Sequence, residues 1–122
     1  YKKDRCSLPA VSLVADGTLL TCILNDYGAQ EIFARQVDSL CCPGDILVAL
    51  STSGNSENVI RAVERAKAKR VLTLSLLGRD GGQMRGLCDL EIIIQGDVTA
   101  RIQEAHLVCI HFLCEAIDEA FE

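Results

Sequence analysis

The segment from Gly44 to Ala68, GDILVALSTSGNSENVIRAVERAKA, constrains the fold of this chain more than any other stretch. Ile46, Leu47, Val48, Ala49 and Leu50 form an unbroken apolar run, the pattern of a strand covered on both faces within a parallel sheet. Ser51, Thr52, Ser53, Gly54, Asn55 and Ser56 follow without one large side chain. Val59, Ile60 and Val63 then recur at helical spacing, with Glu57, Arg61, Glu64 and Arg65 toward water. Ser56 stands where the N-cap of that helix belongs.

A loop that joins a strand's C-terminal end to a helix's N-terminus is suited to an anion. The first helical turn leaves backbone N–H groups unpaired and carries roughly half a positive charge. The hydroxyls of Ser51, Thr52, Ser53 and Ser56 add donors, and Gly54 allows close backbone approach. A nucleotide-binding P-loop would read G-x-x-x-x-G-K-[ST]; the absence of a lysine favours a single phosphate monoester over a triphosphate with magnesium. The same residues also make a good plain strand-to-helix turn, and local pattern does not choose between the two.

The chain around this unit alternates strand-like and helix-like stretches. Pro9 to Val14 reads as a short strand closed by the turn Ala15-Asp16-Gly17. Leu19, Leu20, Ile23 and Leu24 mark a short helix ending at Asn25-Asp26-Tyr27-Gly28, and Ile32, Phe33, Val37 and Leu40 mark a second, stopped by Pro43-Gly44. Val71 to Leu77 and Leu90 to Ile94 are further strands, separated by the loop Gly78-Arg79-Asp80-Gly81-Gly82. The expected fold class is therefore α/β, a doubly wound parallel sheet with helices on both faces. Ligands in such sheets bind at the carboxyl ends of strands, so the candidate loops are Ala15 to Thr18, Ser51 to Ser56 and Gly78 to Gly82.

At 122 residues and 49% hydrophobic, the chain suits one domain with a sizeable core. No apolar run reaches the eighteen or so residues of a membrane-spanning helix, and the first residues lack the apolar centre of a signal peptide, so a cytoplasmic protein with no membrane partner is expected. A net charge of −5, with only short basic clusters at Lys2, Lys3 and Arg5 and at Lys67, Lys69 and Arg70, argues against a nucleic-acid surface. The seven cysteines show no C-x-x-C pair, and reduced thiols are expected.

From about Thr99 to Phe121 the sequence is helical, with Ile102, His106, Cys109, Ile110, Leu113, Ile117 and Phe121 on one stripe. His106 lies on that stripe, where a buried, hydrogen-bonded imidazole is the expected state. His106 and His111 are about 140° apart around the helix and cannot chelate one ion together. Gln103 and His111 fall within about 80° of each other but roughly 12 Å apart along the axis, so two chains meeting at an interface would share a metal more readily than one.

The runs GDILVALSTSGNSENVIRAVERAKA and LGRDGG, the NDYG at Asn25 to Gly28 and the RIQEAH with its later histidine, Arg101 to His111, together resemble the sugar isomerase (SIS) domain. Within it they look most like the bacterial sedoheptulose 7-phosphate isomerases, over nearly the whole chain. The resemblance implies a homotetramer with active sites at subunit interfaces, converting sedoheptulose 7-phosphate to glycero-manno-heptose 7-phosphate for heptose and lipopolysaccharide biosynthesis. It implies that Ser51, Thr52, Ser53 and Ser56 hold the phosphate and that Asn25, Asp26 and Gln103 contact the sugar. Gln103 and His111 would serve catalysis and bind zinc. That centre also needs a histidine and a glutamate from an earlier helix, and an Asn-Gly-Gly loop after the first strand. Tyr1 to Ser12 supply none of these, so residues 1–122 are expected to be a single SIS domain truncated at its N-terminus, without its first helix and strand.

A second class resembles the same stretches: a non-catalytic SIS adaptor that associates with the bacterial replication initiator. In that relative an arginine interrupts the hydroxyl loop and the last histidine is lacking. This chain keeps Ser53 and His111, which favours the isomerase.

Overall fold

A computed structural model describes residues 4–121; Tyr1, Lys2, Lys3 and Glu122 lie outside the described residues, and with them part of the first basic cluster. The elements are α1 (Gly17–Tyr27), α2 (Ala34–Leu40), β1 (Ile46–Ser51), α3 (Glu57–Ala68), β2 (Leu72–Gly78), β3 (Leu90–Ile94) and α4 (Thr99–Ala120). Single 3-10 turns at Ala29–Glu31 and Gly82–Met84 complete the set. The three strands are parallel in the order β1-β2-β3, with Ser51 opposite Leu77 and Leu77 opposite Ile93.

Successive side chains of a strand point to opposite faces, and this alternation assigns the helices. Ala49, Leu77 and Met84 pack with Val63 of α3, joined by Leu47, Val59, Ile60 and Ile93. A second cluster, Val37, Ala62, Ala66 and Val71, fixes α2 against α3. Polar contacts reinforce this pair. Arg65 meets the Asp38 carboxylate at 2.9 Å, and the Lys69 ammonium donates to the last carbonyls of α2, at Val37 and Asp38. On the opposite face α4 crosses β2 and β3, with Leu76 and Ile102 both fully buried. Helices on both faces of a parallel sheet match the expected class.

Two details depart from the sequence reading. Pro9 to Val14 is not a strand: residues 4–12 run without regular structure and enter a turn at Leu13. The segment is tied down by Gln36, whose Nε2 donates to the carbonyls of Leu13 and Ile32 at 3.0 and 2.8 Å. A run of alternating apolar residues forms a strand only where a neighbouring strand accepts its backbone, and β1 here pairs with β2 alone. The loop Ala15 to Thr18 therefore follows no strand. It starts α1, with Asp16 as N-cap accepting from Leu19 N–H at 3.0 Å. Second, β1 is covered on one face only. Ile46, Val48 and Leu50 are 60%, 44% and 45% exposed, because α4 passes over β2 and β3 and leaves β1 bare on that side.

The stripe of α4 also shifts along its length. Ile102 and His106 are buried and Cys109, Ile110 and Leu113 half-buried, but Ile117 and Phe121 are exposed while Asp118 is buried. Arg5 accounts for the exchange, its Nε 2.7 Å from an Asp118 carboxylate oxygen.

Candidate phosphosugar site

The end of β1 and the start of α3 build the site. Ser51 is the last residue of β1 and is buried, and Ser56 is the N-cap of α3 as its sequence position requires. The Ser56 hydroxyl does not cap its own helix; it lies 3.1 Å from the Ser51 hydroxyl. Gly54 N–H donates to Ser51 Oγ at 3.1 Å, which leaves that oxygen a second lone pair and its own proton, so either hydroxyl of the Ser51–Ser56 pair can donate to the other. Asn55 N–H donates to Ser53 Oγ at 3.2 Å, which leaves the Ser53 hydroxyl able to donate.

Opposite this loop stands α4. Leu50, Ser51, Thr52 and Ser56 on one side and Gln103, His106, Leu107 and Ile110 on the other enclose an open cleft of about 490 Å³. That volume suits a small polyol phosphate. Three hydroxyl residues and three apolar ones line the cleft, with the Gln103 amide and the His106 ring as the polar groups of the helical wall. Two residues eight positions apart in the sequence reading thus separate. Gln103 lines the cleft, while His111 lies two turns further along α4, exposed and outside the lining.

His106 is 3% exposed, as its place on the apolar stripe implied, and its Nε2 lies 2.8 Å from the Leu77 carbonyl oxygen. A carbonyl only accepts, so Nε2 carries a proton and donates it to Leu77. The bond pins α4 to the end of β2 one turn beyond Gln103. That His106 would line the cleft as well was missed from sequence, since the stripe gave only its burial. Asn25 and Asp26 sit exposed on the last turn of α1, where the Cys22 thiol approaches the Asp26 carboxylate at 3.7 Å. Neither is among the cleft-lining residues.

The third candidate loop, Gly78 to Gly82, does not line the cleft; it packs against the hydroxyl loop from behind, Gly81 against Gly54, and the residues that follow it bond to that loop. Met84 N–H donates to the Gly54 carbonyl at 3.0 Å, and Gln83 N–H to Asn55 Oδ1 at 3.0 Å. Such pairing between loops after different strands has no local sequence signal.

Gln103 and His111 offer two donors where zinc takes four, and the described residues include no group of three or more His, Cys, Asp or Glu side chains placed to hold a metal ion. These residues therefore do not make a zinc centre by themselves. The seven cysteines are free thiols, and burial pushes the Cys41 and Cys88 thiols above their ordinary value, away from the thiolate a soft metal needs.

A three-stranded parallel sheet with helices on both faces and a hydroxyl loop at its carboxyl end defines an α/β domain with a candidate anion site at a helix N-terminus. Residues 1–78 match the SIS domain, and the chain belongs to that family. It is 51% identical over 121 residues to the phosphoheptose isomerase of a Nitratiruptor species, covering 99% of this chain and 65% of that protein. It is 52% identical to the phosphoheptose isomerase of Helicobacter pylori (strain Shi470), covering 99% and 63%. Among solved structures, phosphoheptose isomerase GmhA from Neisseria gonorrhoeae superposes with a TM-score of 0.85 at 44% identity, over 88% of this chain and 61% of that one. A phosphoheptose isomerase from Francisella tularensis gives 0.91 at 39% identity, over 94% and 62%. The chain spans a little under two thirds of the length of these relatives. Among the described residues no helix is long and apolar enough to cross a membrane.

Proposed function

We propose that this chain carries the phosphate-binding and one catalytic wall of a phosphoheptose isomerase, which converts sedoheptulose 7-phosphate to glycero-manno-heptose 7-phosphate. The observation that supports this most is the cleft itself, with the Ser51, Thr52 and Ser56 hydroxyls facing Gln103 across a space of sugar-phosphate size. Identity near 50% to proteins named phosphoheptose isomerase, over almost every residue of the chain, supports the same reading.

In this reading the phosphate sits at the N-terminus of α3, held by Ser51, Thr52, Ser53 and Ser56 and by the unpaired N–H groups of the first turn. The sugar runs from there toward Gln103, with Asn25 and Asp26 contacting it from α1. Isomerisation moves one proton from C1 to C2 while O1 loses and O2 gains another, through an enediol, so the reaction needs a base and a donor near both oxygens. His106 is committed to the Leu77 carbonyl, and His111 is the imidazole assigned to acid–base work. A homotetramer in the cytoplasm belongs to the proposal, since exposed His111 reaches a shared site only where a second copy meets α4. Gln103 and His111 would then donate to a zinc centre completed by residues other than those described.

The test is incubation of the natural full-length protein with sedoheptulose 7-phosphate in deuterium oxide. Formation of the aldose with deuterium at C2 is the expected result. Binding of the sugar phosphate without exchange or product would make the protein a binding module and overturn the enzyme reading.

A further inference from the structure

The hydroxyl loop is held by a second loop that contributes nothing to the cleft lining, and the contact is backbone against backbone. A Cβ added to Gly54, whose φ is +64°, would stand 1.9 Å from the Gly81 carbonyl oxygen. One added to Gly82 would stand 2.5 Å from the Ser53 carbonyl oxygen and 2.7 Å from Asn55 Oδ1. Between these glycines run the bonds from Met84 N–H to the Gly54 carbonyl and from Gln83 N–H to Asn55 Oδ1, each 3.0 Å.

Asn55 joins the two loops. Its Oδ1 accepts from Gln83, its Nδ2 donates to the Ser53 carbonyl at 3.0 Å, and its own N–H donates to Ser53 Oγ at 3.2 Å. Both the backbone and the hydroxyl of Ser53 are therefore set by one residue; neither Asn55 nor Ser53, which the sequence placed on the phosphate, is among the cleft-lining residues, but Ser53 directly follows Thr52, which is. We infer that Asn55 is a positioning residue, which with Gly81 to Met84 clamps the hydroxyl loop in its ligand-ready geometry. The inference rests on the phosphosugar reading of the cleft.

The physical consequence is preorganisation. A loop already ordered spends none of the ligand's binding energy on fixing Ser53 and Gly54, whereas a loosened one does. Ordering about one residue's backbone corresponds to roughly a tenfold change in affinity. The effect falls on capture of the phosphate, not on the proton transfers at the far end of the sugar. Asn55→Ala should therefore raise the KM for sedoheptulose 7-phosphate and the Kd for inorganic phosphate about tenfold, with kcat within about threefold of the parent. Gly82→Ala should act in the same direction by displacing Ser53.

The experiment is calorimetry with inorganic phosphate, steady-state kinetics and amide hydrogen exchange on the natural full-length protein and both variants. Faster exchange confined to Ser53 to Asn55 and Gln83 to Met84, together with the split between KM and kcat, is the expected result. Parent-like phosphate affinity in Asn55→Ala, or a fall in kcat with KM unchanged, would overturn the inference. If the parent binds no phosphate, the phosphosugar reading fails instead, and hydrogen exchange alone then decides the clamp: unchanged protection in Asn55→Ala removes it.

Discussion

The hydroxyl oxygens of Ser51 and Ser56 lie 3.1 Å apart, so the last residue of a strand and the cap of the next helix share a hydrogen bond across the loop that joins them. Gly54 N–H also donates to Ser51 Oγ, so Ser51 ties the loop backbone to the cap, while Ser56 has no such backbone bond through its hydroxyl. On the proposed reading both hydroxyls meet the phosphate, and Ser51 also supports the loop. Ser56→Ala should weaken binding of inorganic phosphate by about ten- to a hundredfold, the effect of about 1.5–3 kcal/mol for a hydrogen bond to a charged group. Its melting temperature should stay close to the parent's. Ser51→Ala should weaken binding and also lower the melting temperature, because Gly54 N–H loses one of its two acceptors. Calorimetry beside thermal denaturation checks both, and Ser53→Ala combined with Ser56→Ala should bind more weakly than either alone.

The two histidines of α4 should fail in different ways. His106→Ala leaves the buried Leu77 carbonyl without its donor and opens a cavity against β2, a loss of about 2–4 kcal/mol visible as a lower urea midpoint. His111→Ala should leave that midpoint nearly unchanged and cut turnover of the natural full-length protein by roughly a hundredfold, the size expected for a positioned acid–base group. An active His111→Ala beside a folded but inactive His106→Ala would reverse the two assignments.

Asp89 gives the fold an acid-sensitive joint. Its carboxylate accepts from the Thr73 hydroxyl at 2.7 Å and from Thr73 N–H at 2.8 Å, while Asp89 N–H returns a bond to the same hydroxyl. The Thr73 hydroxyl, followed by the Thr73 N–H, holds the carboxyl below its ordinary value. A carboxylate with a lowered folded pKa adds stability above its unfolded pKa, about 4, and loses it as pH falls through the folded value. Urea midpoints of the parent should therefore drop more steeply than those of Asp89→Asn as the pH falls below about 4. Parallel curves would show that the Thr73 clip adds nothing pH-dependent.

Phe112 is 66% exposed and Val108, one turn before it on the same side of α4, is 53% exposed, while Leu107 at the cleft is 53% exposed as well. Exposed apolar side chains in such number on one helix suit contact with another copy. The natural full-length protein should run as a tetramer by light scattering, and Phe112→Glu should shift it toward smaller species. A monomer at micromolar concentration would remove the interface site together with the role given to His111.

The alternation of strand and helix was readable because each element announces itself locally: the apolar run before Ser51, the N-cap at Ser56, the stripe through Ile102 and His106. Pro9 to Val14 misled because alternation describes a strand's side chains and says nothing of whether a neighbour receives its backbone. Burial of β1 on both faces was over-read for a similar reason, since the apolar run records that Ile46, Val48 and Leu50 are greasy but not what lies over them. In the site, the hydroxyls were visible as a sequence cluster, and so was Gln103. The bonds from Met84 N–H to the Gly54 carbonyl and from Gln83 N–H to the Asn55 side chain join positions roughly thirty residues apart, and a backbone donor so distant leaves no trace in the residue types of the hydroxyl loop.

The near-contact of Gly54 with Gly81 divides what is adjustable in this domain from what is not. Neither loop has room for a side chain at the junction, so swapping one for that of another protein would jam the other. Selection or design aimed at a new substrate is thereby steered away from the anion end and onto the helix opposite. There, Gln103, Leu107 and Ile110 line the cleft with side chains, whose size and polarity can be changed one residue at a time without disturbing a neighbouring loop.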